Sequence, residues 1–254
     1  MFRTITPQAI RKILPRLLAL LVFVPSAMNA QSHSQQQYAK MAPLDEYLMN
    51  RDAEIALARS AAPEAISKNA SVLVLTRHGW EMAVKGTNGF VCNVERAWAS
   101  GIYFAVTWNP KMRGPDCLNA AAARTILPIE YKFTQMTLAG VYSQKARLAA
   151  IKAAYANKEI PPLEPGAMGY MMSKNAYLTN SGGNLSHVML FLPTTNPLKL
   201  GANLPGVPVT STSFWFPDPD PAPNGNPLDH GLPPLRTFVV AVPKWSDGTS
   251  ASAK

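Results

Sequence analysis

From residue 43 onward, two kinds of hydrophobic repeat alternate along the chain. Pro43 to Ile66 carries the helical kind: Leu44, Tyr47 and Leu48, then Ile55, Leu57 and Ala58, fall on one side, with Asp45, Glu46, Asp52 and Glu54 on the other. Pro63 interrupts this pattern near its end, because proline removes a helical donor. Val72 to Arg77, Trp80 to Lys85 and Phe90 to Arg96 are short extended runs rich in β-branched and aromatic residues. Gly86-Thr87-Asn88-Gly89 lies between the second and third and is an Asn-Gly turn signal. Together these predict three antiparallel strands in a meander. Gly101 to Trp108 predicts a fourth strand or a short helix, ahead of a proline-bounded loop at 109–116.

Cys117 to Arg124 is alanine-rich and helical in propensity, as is much of Ile129 to Leu138. Ser143 is placed to cap a helix running to Asn157, with Leu148, Ile151 and Tyr155 on one face. Pro161 and Pro162 end it. Ala167 to Met172 and His187 to Leu192 are extended, with a flexible loop, Asn180-Ser181-Gly182-Gly183-Asn184, between them. Val209 to Phe216 and Arg236 to Val242 supply the last strands, and 217–234 is a proline-rich irregular segment. The expected fold is one α+β domain over 43–247. In it an antiparallel sheet, the N-terminal meander plus the C-terminal strands, packs against two or three helices. Residues 31–42, polar and Gln-rich, are expected to form a disordered leader, and 248–254 a disordered tail.

The first thirty residues change the picture of where this domain works. They hold Arg3, Arg11, Lys12 and Arg16 and no acidic residue, then an apolar run from Leu17 to Val24, then Pro25, Ser26 and small residues from Ala27 to Ala30. That order is the order of a secretory signal peptide over 1–30, cleaved after Ala30 or Ala27. The apolar run is far short of the ~20 residues a spanning helix needs. No cysteine stands near the cleavage site to take a lipid. A soluble, secreted protein of the periplasm or beyond is expected. Without residues 1–30 the formal charge falls from +9 to +5. The remaining basic residues are dispersed, which argues against nucleic acid as a partner and allows weak association with an anionic envelope surface. Lys145, Arg147 and Lys152 share one helix and are expected on a solvated face.

Cys92 and Cys117 are the only cysteines, and in an exported chain an even count predicts a disulfide between them. With no histidine at ligand spacing they do not make a zinc set, so no metal and no cofactor are expected.

The sharpest motif is Val72-Leu73-Val74-Leu75-Thr76-Arg77-His78-Gly79. It is similar to the phosphohistidine motif of the histidine phosphatase superfamily, where a first strand delivers an Arg-His-Gly triplet. The resemblance covers eight residues, with a core of three. It implies His78 as a nucleophile toward phosphate and Arg77 as the group that neutralises phosphate charge, with a second histidine, His187 or His230, beside an acid. The competing reading makes His78 a polar residue in the turn between two strands. Met168, Met171, Met172 and Met189 suggest either a thioether site for Cu(I) or core filling, and their alternation favours the core. Asp218, Asp220, Asp229 and His230 lack a compact calcium-ligand cadence. No serine sits in a Gly-x-Ser-x-Gly elbow. Trp98, Tyr103, Phe104 and Trp108, then Phe214, Trp215 and Phe216, suit core packing or a stacking surface for sugar or peptide. The expectation is an exported, non-catalytic binding or envelope-associated module. The alternative is a phosphomonoester hydrolase using Arg77 and His78.

Overall fold

A computed structural model describes residues 38, 40–99, 108–194, 196–214 and 231–251. The expected signal peptide, Tyr103, Phe104, Trp215, Phe216, Asp218, Asp220, Asp229 and His230 lie outside them, as does most of the proline-rich segment.

Eight strands form one mixed sheet. In chain order they are β1 (Ser71–Thr76), β2 (Gly79–Val84), β3 (Val91–Glu95), β4 (Gly114–Leu118), β5 (Met168–Met171), β6 (His187–Leu192), β7 (Val209–Ser213) and β8 (Arg236–Ala241). Across the sheet the order is β2-β1-β3-β4-β5-β6-β8-β7. Five α-helices accompany it among the described residues: α1 (Arg51–Arg59), α2 (Glu64–Ser67), α3 (Ala120–Thr125), α4 (Leu127–Leu138) and α5 (Gln144–Ala156). The α+β class agrees with the sequence.

The N-terminal meander does not form. β1 and β2 make the expected antiparallel hairpin, with Thr76 opposite Gly79. But β3 returns to the other side of β1 and pairs with it in parallel, Ser71 to Val91 and Val72 to Cys92. The Asn-Gly segment is therefore a crossover and not a hairpin turn. Its polar atoms bind the chain that leads into β1: Thr87 N–H donates to the Asn69 carbonyl, Gly86 N–H to Ser71 Oγ, and Asn88 Nδ2 to the Ile66 carbonyl. The crossover lies so close to β1 that a Cβ built on Gly86 would stand 2.2 Å from Ser71 N and 2.5 Å from the Asn69 carbonyl oxygen. Gly86→Ala is accordingly expected to lower the unfolding free energy by about 2 kcal/mol, because backbone must move to admit a methyl group. A urea midpoint equal to the parent's would contradict that packing.

The remaining differences are local. Cys117 ends up inside a strand, since β4 begins at Gly114, within the stretch read as a proline-bounded loop. The helix starts only after Asn119, whose side chain accepts from Ala122 N–H. The long N-terminal helix is instead a short 3₁₀ turn at Leu44–Glu46, then α1 capped by Asn50, then α2 after Pro63. Ser143 caps α5 as expected, accepting from Ala146 N–H. Arg147 departs from its expected solvated face: it is 3 % exposed. It donates to Thr137 Oγ1 and to the Trp98 carbonyl, and its guanidinium lies over the Phe133 ring. Burial lowers its pKa to about 10, still charged at neutral pH. Contacts are also made at the outer ends of the described residues. Met41 and Ala42 pack against the cluster around Tyr47 and Trp98, and Ala251 N–H donates to the Pro243 carbonyl.

Strand alternation sorts the core into two layers, one on each face of the sheet. On one face Val72, Cys92, Val94 and Cys117 pack with Ala58, Ala61 and Ala62 of the α1 region. On the other, Leu73, Leu118, Met171, Met189 and Phe191 pack with Ile126, Ile129, Phe133 and Ile151 of α3 to α5. Helices thus cover both faces of the sheet. Met171 of β5 and Met189 of β6 fill this second layer, each 2 % exposed, whereas Met168 is only half-buried. No helix among the described residues is long and apolar enough to cross a membrane.

Candidate functional site

Arg77 and His78 form the exposed two-residue turn between β1 and β2. Thr76 Oγ1 accepts from His78 N–H and donates to the Gly79 carbonyl, which fixes the turn. Arg77 forms an ion pair with Asp45, with both side chains mostly exposed. A shallow cavity of about 360 Å³ lies beneath them, lined also by Met49, Arg51, Glu54 and Leu75. His187 is not part of it. It sits in β6, four strands from β1 in the sheet, roughly 19 Å away at the usual strand spacing. It is 6 % exposed, and its Nδ1 lies 2.7 Å from the Leu185 carbonyl. Burial lowers the His187 pKa, which favours the neutral ring. The structure brings Arg77 and His78 together, as consecutive residues must be, but does not bring His187 to them.

The larger cavity, about 520 Å³, lies where the segment before the first 3₁₀ turn meets the end of α4. Met41, Leu44 and Leu138 make its apolar lining, and Trp108 and Tyr142 its aromatic wall. Those two rings meet edge to face, with centroids 5.2 Å apart. Tyr142 is 49 % exposed, while Trp98, grouped with Trp108 in the sequence, is fully buried against Tyr47. Lys40 is the one charged group lining the cavity among the described residues. The Tyr47 hydroxyl donates to the Trp108 carbonyl at 2.8 Å, so the aromatic wall is tied to the core through its backbone.

Behind the cavities lie two buried polar groupings that sequence reasoning missed. In the first, Glu54 of α1 and Arg96, just past β3, form an ion pair at 2.9 Å with both side chains fully buried. Glu54 Oε1 also accepts from Leu75 N–H, and Arg96 donates to the Tyr47 and Val94 carbonyls. The helical pattern placed Glu54 on the polar side of α1. Yet α1 packs across β1 and β3, so its polar flank faces the sheet where Arg96 arrives.

The second is a set of carboxyl groups. Asn93 and Glu95 of β3 point to the α4 face, and Asp116 of β4 stands directly opposite Asn93 in register. Glu130 comes down from α4 and accepts from Asn93 Nδ2 at 2.9 Å. One carboxylate oxygen from each of Glu95, Asp116 and Glu130 lies within 4.8 Å of the other two, and the three residues are 3 %, 1 % and 1 % exposed. Burial pushes the Glu130 carboxyl up to about 7, against hydrogen bonds from Glu95 and Asn93 that hold it down. Burial and the neighbouring Glu130 raise that of Asp116 as well. Period-two alternation in Asn93-Val94-Glu95 was the available signal. It was masked because polar residues alternating with apolar ones read as a solvent-facing edge.

No family model matches this chain, and neither a curated protein nor a solved structure matches it.

Proposed function

We propose that this chain is an exported, non-catalytic binding module, and that its ligand occupies the 520 Å³ groove walled by Trp108 and Tyr142. The observation that carries this reading is the pairing of an aromatic wall, the exposed Tyr142 and the half-buried Trp108, with an apolar floor. Small-ligand sites are concave, mostly apolar and of ~300–1,000 Å³, with few polar groups to orient what they hold. The chemistry fits a ring with an apolar face, as on a saccharide or an aromatic peptide side chain, carrying an anionic substituent toward Lys40. Stacking on Trp108 and Tyr142 supplies affinity, and Lys40 supplies orientation.

Titration of tryptophan fluorescence against a panel of acidic saccharides and aromatic peptides tests this. A member of the panel should bind saturably, and Trp108→Ala should weaken it about thirtyfold, the usual effect of losing a central aromatic contact. Folding should survive, because the Tyr47 hydroxyl holds the backbone at 108 and not the ring. Binding that is indifferent to both Trp108→Ala and Tyr142→Ala would move the ligand elsewhere. Turnover of a phosphomonoester that disappears in His78→Ala would replace this reading with hydrolysis at the β1–β2 turn.

A further inference from the structure

We propose that Asn93, Glu95, Asp116 and Glu130 together form a buried site for one hard divalent cation, calcium in preference to magnesium. The three carboxylates converge from β3, β4 and α4 onto one face of the sheet, within bonding reach of a common ion. Neither Asp116 nor Glu130 forms an ion pair with a lysine or arginine among the described residues. The other buried carboxylate among the described residues, Glu54, has its arginine.

Asn93 is the independent sign of a ligand. Its side chain is 1 % exposed and is drawn into the cluster by its bond to Glu130, yet its Oδ1 has no hydrogen-bond partner. Asp116 Oδ1, across the strand pair from it, is buried and unsatisfied too. A buried amide oxygen and a buried carboxylate oxygen left open beside two further carboxyls are a donor set short of its acceptor. Buried polar atoms are otherwise almost always paired.

The donor chemistry selects the ion. All donors are hard oxygens, with no thiolate or imidazole, so softer metals that prefer sulfur and nitrogen are disfavoured. Calcium takes ~6–8 oxygens and accepts carboxylates through both of theirs. Magnesium demands a regular octahedron and keeps several waters. The donor residues are sealed from solvent, each 3 % exposed or less, and a Cβ on Gly169 of β5 would come within 2.8 Å of Asp116 Oδ1, so β5 packs directly on the carboxylate. With every donor residue sealed, the ion enters as the sheet and α4 come together, and its binding energy becomes folding energy.

The test uses the full chain and refolding. Protein unfolded in guanidinium with a calcium chelator is freed of both and refolded at neutral pH with calcium chloride, with magnesium chloride, or with chelator alone. One calcium per chain should remain after gel filtration, counted by plasma mass spectrometry. At a hundredfold excess over Kd, Tm should rise by about 5–10 °C over the chelated sample. Magnesium should raise it less. Asp116→Asn keeps the shape and removes a charge, and should weaken calcium binding at least about tenfold. Asn93→Ala, which leaves all three carboxylates, should weaken it in the same direction. The unaltered chain decides the matter even if neither variant folds. If it refolds equally well with chelator, retains no calcium and shows no shift in Tm, shared protons hold the cluster and the cation site is overturned.

Discussion

Replacing Glu54 with alanine should destabilise the protein by about 3–5 kcal/mol, the usual result of leaving one partner of a buried ion pair without the other. Arg96 is fully buried, and burial alone lowers its pKa while Glu54 raises it. Without Glu54 the guanidinium keeps its charge and its desolvation but loses its counter-ion, and Leu75 N–H loses its acceptor. Arg96→Ala should be similarly severe, because it orphans Glu54 and also strips a donor from the Tyr47 and Val94 carbonyls. Replacing both with apolar residues of similar volume should cost much less than the sum of the single changes. Urea denaturation of the two single variants and the double variant measures all three. A Glu54→Ala midpoint close to the parent's would show that the pair does not hold α1 to the sheet. By contrast Asp45→Ala, which breaks the exposed pair with Arg77, should change stability by no more than about 0.5 kcal/mol. The Glu54 effect should also reach the groove. Arg96 binds the Tyr47 carbonyl and the Tyr47 hydroxyl binds the Trp108 carbonyl, so loosening Arg96 loosens the aromatic wall.

That chain of contacts explains why the strands were more legible in the sequence than their arrangement. β1, β2, β3, β6 and β8 fall within a residue or two of their expected limits, because local alternation and β-branching report extended backbone directly. Pairing is a property of the whole sheet. Nothing local in Gly86-Thr87-Asn88-Gly89 says whether the chain turns back on β2 or crosses over β1. The deciding contacts, to Ile66, Asn69 and Ser71, lie well back along the chain. The sites divide the same way. The aromatic wall draws on Trp108, a stacking candidate in the sequence. Tyr142 was not, since a lone tyrosine before Ser143 carries no pattern of its own. Glu54, Glu95, Glu130 and Arg147 are charged residues, and charge in a helix or strand ordinarily means solvent. Only tertiary contacts show each buried: Glu54 with Arg96, Glu130 with Asn93 and Glu95, and Arg147 with Thr137. His78 illustrates the converse: a short motif with strong chemistry, placed on an exposed turn.

The disulfide was legible because it needed only a count and a compartment, and its place in the sheet makes its removal the second large effect. Cys92 and Cys117 are directly opposed in the β3–β4 register, with Cα atoms 3.9 Å apart, and both are fully buried beneath α1. The bridge closes a loop with a sequence separation of 25. Opening such a loop in the unfolded chain restores conformational freedom worth about 3 kcal/mol. Cys92→Ala with Cys117→Ala should therefore lower stability by about that amount, with little change in the strand pairing, since the ladder from Val91–Leu118 to Glu95–Gly114 does not depend on sulfur. Cys92→Ser with Cys117→Ser should be worse than the alanine pair, because two hydroxyls would replace apolar sulfur among Ala58, Ala61, Val72 and Val94. On the opposite face the same two strands carry Asn93, Glu95 and Asp116. Since the ladder keeps its register without the bridge, the alanine pair should keep the carboxyl cluster aligned and retain calcium while its Tm falls. Titration of the denatured, unreduced protein with a thiol reagent should find no free thiol, and calcium retained equally by the alanine pair would separate the two faces of the sheet.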